Sequence, residues 1–282
     1  MKSVTAFFTI ALALASSSFA APAAVKRKGP GKRGLCWPFY NGSLDPAKLN
    51  DNQGTVNLIY DYETFLPPTK TGKNGGLNFI GMQRCMDCDS SPIKQLAARQ
   101  KQNGFSTLFT LNEPDINGIS PKTAATWYKQ NINPMKIKKA LPAVTSSTNP
   151  NQGLGWLKQM LDACAGQCFF DYINLHHYGT SFAQFKAHVE DAHKRFPNAR
   201  IVVTEFALQA PASQAQQVAY YKQAFAFLDK AAFVEMYFPF VATSPQLFSK
   251  NDANGAKFVG TGSTLYNNDG SISAVGKLLL SA

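Results

Sequence analysis

Beyond its first twenty residues, this chain of 282 residues has no apolar run near the roughly 20 residues that a membrane-crossing helix needs. No membrane association is therefore expected of its body. No Gly-rich G-x-G-x-x-G loop follows the first strand-like run, which argues against a dinucleotide-binding open sheet. Histidine is scarce, four residues in all, and no acidic cluster with ligand spacing accompanies the adjacent His176 and His177. No metal and no cofactor are expected. There is no repeat, no Ser/Thr/Pro-rich linker and no second compositional zone after Gly34, so one catalytic-sized domain is the simplest organisation.

Residues 1–33 lack any acidic residue. Within them, residues 1–20 read as a secretory signal peptide: Lys2, an apolar core from Ala6 to Ala15, and the small-residue cleavage site Ser18-Phe19-Ala20. Residues 21–33 read as a basic pro-segment ending at the dibasic pair Lys32-Arg33, with a retained N-terminal arm as the alternative. The product is expected to be secreted, to the extracellular space or the cell wall. The whole chain carries 28 basic and 17 acidic residues, a net of +11; without the six basic residues of this leader the balance is 22 to 17, or +5. A nucleic-acid partner would need those charges gathered on one face. The densest run, Lys136-Ile137-Lys138-Lys139, reads instead as a solvated strand edge, so no nucleic-acid binding is expected.

Residues 34–282 form the remaining domain, long enough to bury a sizeable core. Of five cysteines, the close pairs Cys85/Cys88 and Cys164/Cys168 read as local disulfides in an oxidising compartment, leaving Cys36. Four thiolates on one zinc is the rival arrangement, and a bond from Cys36 to another cysteine stays open. Eight strand-like runs (34–39, 55–60, 77–83, 106–112, 137–144, 170–176, 200–205 and 233–238) alternate with helix-like stretches (93–102, 121–132, 155–164, 181–195, 213–228 and 273–280). Alternation of this kind implies a mainly parallel sheet. Eight strands in about 250 residues fit a closed (β/α)₈ TIM barrel.

Two of those runs end in a lone carboxylate: Ser106 to Glu113 and Ala199 to Glu205. These are the ends of strands 4 and 7, which in a barrel share one mouth although 92 residues separate them. Paired carboxyl groups suit glycosidic-bond cleavage, one protonating the leaving oxygen and the other attacking carbon or activating water. Glu113 and Glu205 are the catalytic candidates. Asn112 beside Glu113 can bond a sugar hydroxyl. Alternation along strand 6 sends His176 and Tyr178 to one side and His177 to the other, and a Tyr hydroxyl there could hold the nucleophile ionised. Sugars also stack on rings; Trp37, Tyr62, Tyr237 and Phe240 sit where strands run out, whereas Trp127 and Trp156 read as core and His188 and His193 as solvated. Asn41-Gly42-Ser43 is the one glycosylation sequon, placed at the expected rim.

The ordered set Lys32-Arg33-Gly34-Leu35-Cys36-Trp37-Pro38-Phe39-Tyr40-Asn41, Leu111-Asn112-Glu113-Pro114-Asp115, Leu141 to Ser146, Gly155-Trp156-Leu157, Asp171 to Gly179 and Val203 to Ala207 resembles glycoside hydrolase family 128. The family comprises β-1,3-glucanases related to alkali-sensitive-linkage cell-wall proteins. The resemblance implies a (β/α)₈ barrel, retaining hydrolysis of β-1,3-glucan with Glu113 as acid/base and Glu205 as nucleophile, and substrate contacts from Asn112, His176 and Tyr178. It implies polysaccharide or oligosaccharide β-1,3-glucan as the partner; the chain itself is expected to be a monomer. Departures from the family pattern are Gly81-Met82-Gln83-Arg84-Cys85 after strand 3, His177 as the aromatic of strand 6, Tyr62 in place of Trp, and no Trp within Tyr237-Phe238-Pro239-Phe240. They leave endo versus exo action open. A glucan-binding protein with little turnover on the same barrel, and the same chemistry on another β-glycan, are the alternatives.

Overall fold

The structure, a computed structural model, describes residues 31–281. The expected signal peptide and most of the expected pro-segment lie outside the described residues. Nine parallel strands form one sheet: β1 (Arg33–Cys36), β2 (Val56–Tyr60), β3 (Asn78–Phe79), β4 (Gly81–Gln83), β5 (Thr107–Asn112), β6 (Lys138–Val144), β7 (Tyr172–Gly179), β8 (Arg200–Leu208) and β9 (Val234–Tyr237). The sheet order runs β3-β2-β1-β9-β8-β7-β6-β5-β4. Its two ends, β3 and β4, are one strand interrupted only at Ile80. Ile80 N–H donates to Ile59 O and Met82 N–H to Glu63 O, so the sheet curls into a barrel of eight strand positions. Strands 4 and 7 of the sequence reading are thus β5 and β8.

Eight α-helices accompany the strands: α1 (Leu96–Asn103), α2 (Pro121–Trp127), α3 (Gly153–Cys164), α4 (Phe182–Arg195), α5 (Gln214–Lys230), α6 (Pro245–Asn251), α7 (Ala253–Val259) and α8 (Ala274–Leu280). Their starts follow local chemistry. Ser120 accepts from Thr123 N–H ahead of Pro121, and Ser213 and Gln216 form a capping box. The stretch expected as one helix to Ile132 passes into a π-helical turn after Trp127. None of the six expected helices includes α6 or α7, and these two shape the cleft.

Inside the barrel, Tyr60, Phe109 and Phe238 meet edge to face at 5.1–5.7 Å, an arrangement aromatic quadrupoles favour. Phe206, Phe225 and Tyr237 pack the outside of the sheet against α5. At the bottom, where β1 begins, Arg33 is buried. It donates to Tyr237 Oη (2.7 Å), to the carbonyls of Leu279 and Ser281, and to Asp229 Oδ2 (2.8 Å). Lys32 Nζ donates to the carbonyls of Leu228, Asp229 and Ala231 where α5 ends, a favourable place for a cation. The pair assigned to the pro-segment therefore ties β1, α5 and α8 together.

Three sequence expectations change here, and the expected cysteine pairing holds. Lys139, expected in a solvated edge, is buried and donates to the carbonyls of Met135 and Ile137. Asn41 of the sequon is fully buried: its Nδ2 donates to Ala242 O and its Oδ1 accepts from Thr243 Oγ1, both at 2.6 Å. A glycan has no access to it in the fold. His188 and His193 are half-buried rather than solvated; His193 stacks on Phe233 at 4.0 Å, and His188 lies 5.5 Å from the ring of His177. Cys85–Cys88 and Cys164–Cys168 are disulfides, and Cys36 is a buried free thiol.

Candidate active site

Glu113 follows directly on β5 and Glu205 lies three residues before the end of β8, and both side chains line one cleft. Backbone bonds fix the approach: Asn112 N–H donates to Arg84 O on one side and Glu113 N–H to Ala143 O on the other, both at 2.8 Å. The pairing of β5 with β6 shifts register just before Asn112, and that of β7 with β8 shifts between Leu175 and His176. Bulges of this kind re-aim side chains beside functional sites. Glu113 and Tyr62 also hold left-handed backbone, φ 47° and 68°, a conformation costly for residues other than glycine and concentrated where function needs it.

One carboxylate oxygen of Glu113, one of Glu205 and one nitrogen of His176 all lie within 4.8 Å of one another. His176 Nδ1 is 2.9 Å from Glu113 Oε1 and 3.5 Å from Glu205 Oε2. Tyr62 Oη donates to Glu205 Oε1 (2.6 Å) and Tyr178 Oη to Oε2 (2.5 Å). Thr204 Oγ1 donates to Asn174 Oδ1 (2.7 Å), so with the Asn174 amide in this orientation it accepts from His176 Nε2–H at 2.9 Å. The Nδ1–Oε1 contact then holds a single proton, shared by His176 and Glu113.

Burial raises the Glu205 pKa and Glu113's charge adds to it, opposed by His176 and the two tyrosine hydroxyls. For His176, burial pulls down, but the charges of Glu205 and Glu113 outweigh it and the pKa rises above its ordinary value. Three such groups could by spacing bridge a divalent ion. Both Glu205 oxygens already accept a tyrosine proton, however, and the Nδ1 of His176 already faces Glu113, so the set is complete as a hydrogen-bonded acid–base pair.

The cleft over this set has a volume of about 780 Å³, and a second cavity of about 490 Å³ continues from it past Tyr62, Asn112, Phe240 and Asp252. Asp115 shapes one wall, its carboxylate accepting from Thr145 N–H and Oγ1–H and from Gly153 N–H; this fixes the loop whose Thr145 to Thr148 line the cleft. Ile116 and Phe258, each about half exposed (52% and 50%), form apolar ledges there. Under the second cavity Asp61 is buried, its pKa pushed well above the carboxylate range by burial, with Oδ2 unpartnered. Asn112 Oδ1 is likewise buried and unpartnered, a vacant acceptor of the kind a sugar hydroxyl satisfies.

Tyr62, Asn112, His176, Tyr178 and Phe240 are thus brought together with the two carboxylates. Trp37 and Tyr237 are not. Cys36 points into the barrel, so its neighbour Trp37 points out; its indole donates to Pro68 O at 2.9 Å and packs on Tyr266. Phe238 likewise takes the interior, and Tyr237 falls outside, paired in register with Arg33 at the barrel bottom. The sequence reading passed over Asp61, Asp115, Thr204, Gln209 and the α7 residues Gly255 and Phe258. Ser244-Pro245 carried the same cap-and-proline signal as Ser120-Pro121 and marked α6, which leads into α7.

A pair of carboxyl groups this close, on neighbouring parts of one barrel mouth and beneath an open groove, is the arrangement of a glycoside hydrolase. Residues 34–278 match the family model described as glycosyl hydrolase catalytic core. The chain is 59% identical to a family 128 (subgroup IV) endo-β-1,3-glucanase from Lentinula edodes, covering 89% of this chain and 100% of that one with a TM-score of 0.87. It belongs to glycoside hydrolase family 128, as its motifs suggested. A family 128 (subgroup III) curdlan-specific exo-β-1,3-glucanase from Blastomyces gilchristii, solved with glucose, is 26% identical over 90% of this chain and 99% of that one, TM-score 0.69. Alkali-sensitive linkage protein 1 of Schizosaccharomyces pombe is 29% identical over 262 residues, 89% of this chain; the chain spans 44% of that relative's length.

Proposed function

We propose that the protein is a secreted endo-β-1,3-glucanase that works with retention of configuration, Glu113 serving as acid/base and Glu205 as nucleophile. The observation that carries this reading is the approach of the two carboxylates to within 4.8 Å. Retaining enzymes hold the pair at about 5–5.5 Å, whereas a gap of about 6.5–9.5 Å is needed to seat water for inversion. The Tyr62 and Tyr178 hydroxyls leave Glu205 ionised and aimed at the sugar carbon, and the proton shared with His176 supplies Glu113. Glu113 gives that proton to the departing oxygen as Glu205 bonds the carbon. Glu113, now a base, then takes a proton from the water that releases the sugar.

The groove continues past the carboxylates on both sides, toward Thr145–Thr148 and toward Tyr40 and Asp61. That supports internal cutting, as does the likeness to the Lentinula edodes endo-β-1,3-glucanase. The leader-like start and the two disulfides support secretion. The test is incubation with a soluble β-1,3-glucan while the products are followed by proton NMR and chromatography. A ladder of oligosaccharides released first as β-anomers is expected, with rates down by orders of magnitude in Glu113→Gln and Glu205→Gln. Initial α-anomers, or binding without products, would overturn the assignment.

A further inference from the structure

Cys36 ends β1 with no exposed surface, directly beneath the site, and neither disulfide involves it. Its Sγ lies 2.9 Å from Tyr62 Oη and accepts weakly from Tyr60 Oη at 3.3 Å. The directions of these bonds follow from the protons available. Tyr62 has one hydroxyl proton, and Glu205 Oε1, which can only accept when ionised, takes it at 2.6 Å. Tyr60 has one, directed chiefly to the carbonyl of Thr204 at 2.9 Å. The Tyr62 oxygen is then free to accept, and the only proton facing it across the Sγ contact is the thiol's own.

We propose that Cys36 is a positioning residue for the reaction, donating its S–H to Tyr62 Oη and thereby aiming the Tyr62 hydroxyl at Glu205. A hydroxyl that accepts a hydrogen bond becomes a better donor, and chains of such bonds reinforce one another in a dry interior. The thiol suits the place. It is a small, mostly apolar group that packs without exposed surface, yet it has one proton to give. Burial and the charge of Glu205 both hold it in the protonated form, and the absence of solvent access shields it from oxidation. Around Glu205 the ionisable groups are Glu113 from β5, His176 and Tyr178 from β7, Tyr60 and Tyr62 from the end of β2, and Cys36.

The inference rests on Glu205 being the nucleophile, so the test includes Glu205→Gln. Cys36→Ala and Cys36→Ser are compared with the unmodified protein, each also in a Tyr62→Phe background, across the acid limb of the pH profile on a soluble β-1,3-glucan. Cys36→Ala is expected to lower kcat about five- to tenfold with KM within about twofold. The acid limb of kcat/KM should move to higher pH, because a weaker Tyr62 bond stabilises ionised Glu205 less. Cys36→Ser, which keeps a donor, should restore most of the loss, and Cys36→Ala should add nothing once Tyr62 is Phe. If Cys36→Ala fails to fold, Cys36→Val fills the space without a donor and takes its place. A lower Tm with unchanged kcat and acid limb, or an equal penalty in the Tyr62→Phe background, would overturn the role. An inactive Glu205→Gln beside silent Cys36 variants overturns this inference alone, whereas an active Glu205→Gln overturns the assignment of the nucleophile as well.

Discussion

His176 Nδ1 lies 2.9 Å from Glu113 Oε1, while its Nε2 is held by Thr204. In the mechanism proposed above, the imidazole stores the proton that Glu113 delivers. Its pKa is raised above the ordinary histidine value because the charges of Glu205 and Glu113 outweigh burial. The site keeps that proton until pH climbs through the raised value, which sets the alkaline limb of kcat/KM. Glu205, raised by burial, sets the acid limb above the usual carboxylate value. His176→Asn should pull the alkaline limb to lower pH and reduce kcat by about tenfold or more. A profile that keeps its alkaline limb in place would remove His176 from proton storage.

Tyr178→Phe tests the other hydroxyl on Glu205. The ring packs edge to face on Phe240 and Phe258, each at 5.5 Å, so Phe preserves the wall of the cleft and deletes only the donor. A hydrogen bond to a charged group contributes about 1.5–3 kcal/mol, so kcat should fall about ten- to a hundredfold with the fold intact. Steady-state kinetics with a circular dichroism control reads this directly; a change in KM alone would assign Tyr178 to sugar binding instead.

A chain beginning at Gly34 should be markedly less stable than one beginning upstream of Lys32. Removing Arg33 strands the buried Tyr237 hydroxyl and the partly buried Asp229 carboxylate; breaking a fully buried pair from one side costs about 3–5 kcal/mol, an upper bound for this partly exposed one. Thermal denaturation of the two chains is the measurement. Equal midpoints would show that the clasp at the barrel bottom is dispensable and that excision after Arg33 is harmless.

Acid stability should depend on two histidines outside the catalytic set. His177 is pushed down to about 3 by burial and by His188, and His188 down to about 4 chiefly by burial. Both stay neutral in the fold, whereas the unfolded chain protonates them near 6.5. Their contribution is therefore complete above about 6.5 and shrinks as pH falls toward the folded-state values. Denaturant midpoints of a His177→Gln, His188→Gln variant should decline less steeply over that window, and an unchanged slope would contradict the neutral-ring account.

Much of the site was legible because a strand's two-residue alternation is strict. Once Glu113 and Glu205 marked the mouth, counting back from strand ends put His176 and Tyr178 together and His177 apart, and the structure agrees. The same rule misled at Trp37 and Tyr237. Alternation tells which residues share a side but not which side is the interior, and in both cases a neighbour, Cys36 or Phe238, occupies it. Cys36 was equally hidden, since a cysteine left over after pairing carries no local sign of the tyrosine above it. The α7 residues escaped for another reason: a short helix that folds back over the mouth obeys no strand periodicity, so Phe258 and the α7 N-cap Asp252 are joined to the cleft only by tertiary packing.

The Arg33 clasp has a consequence for architecture. By bonding the start of β1 to the last turn of α8, it gathers both ends of the described chain on the floor of the barrel, remote from the groove. A tether, tag or neighbouring module joined at either end hangs from the underside, leaving the groove at the top unobstructed from rim to rim.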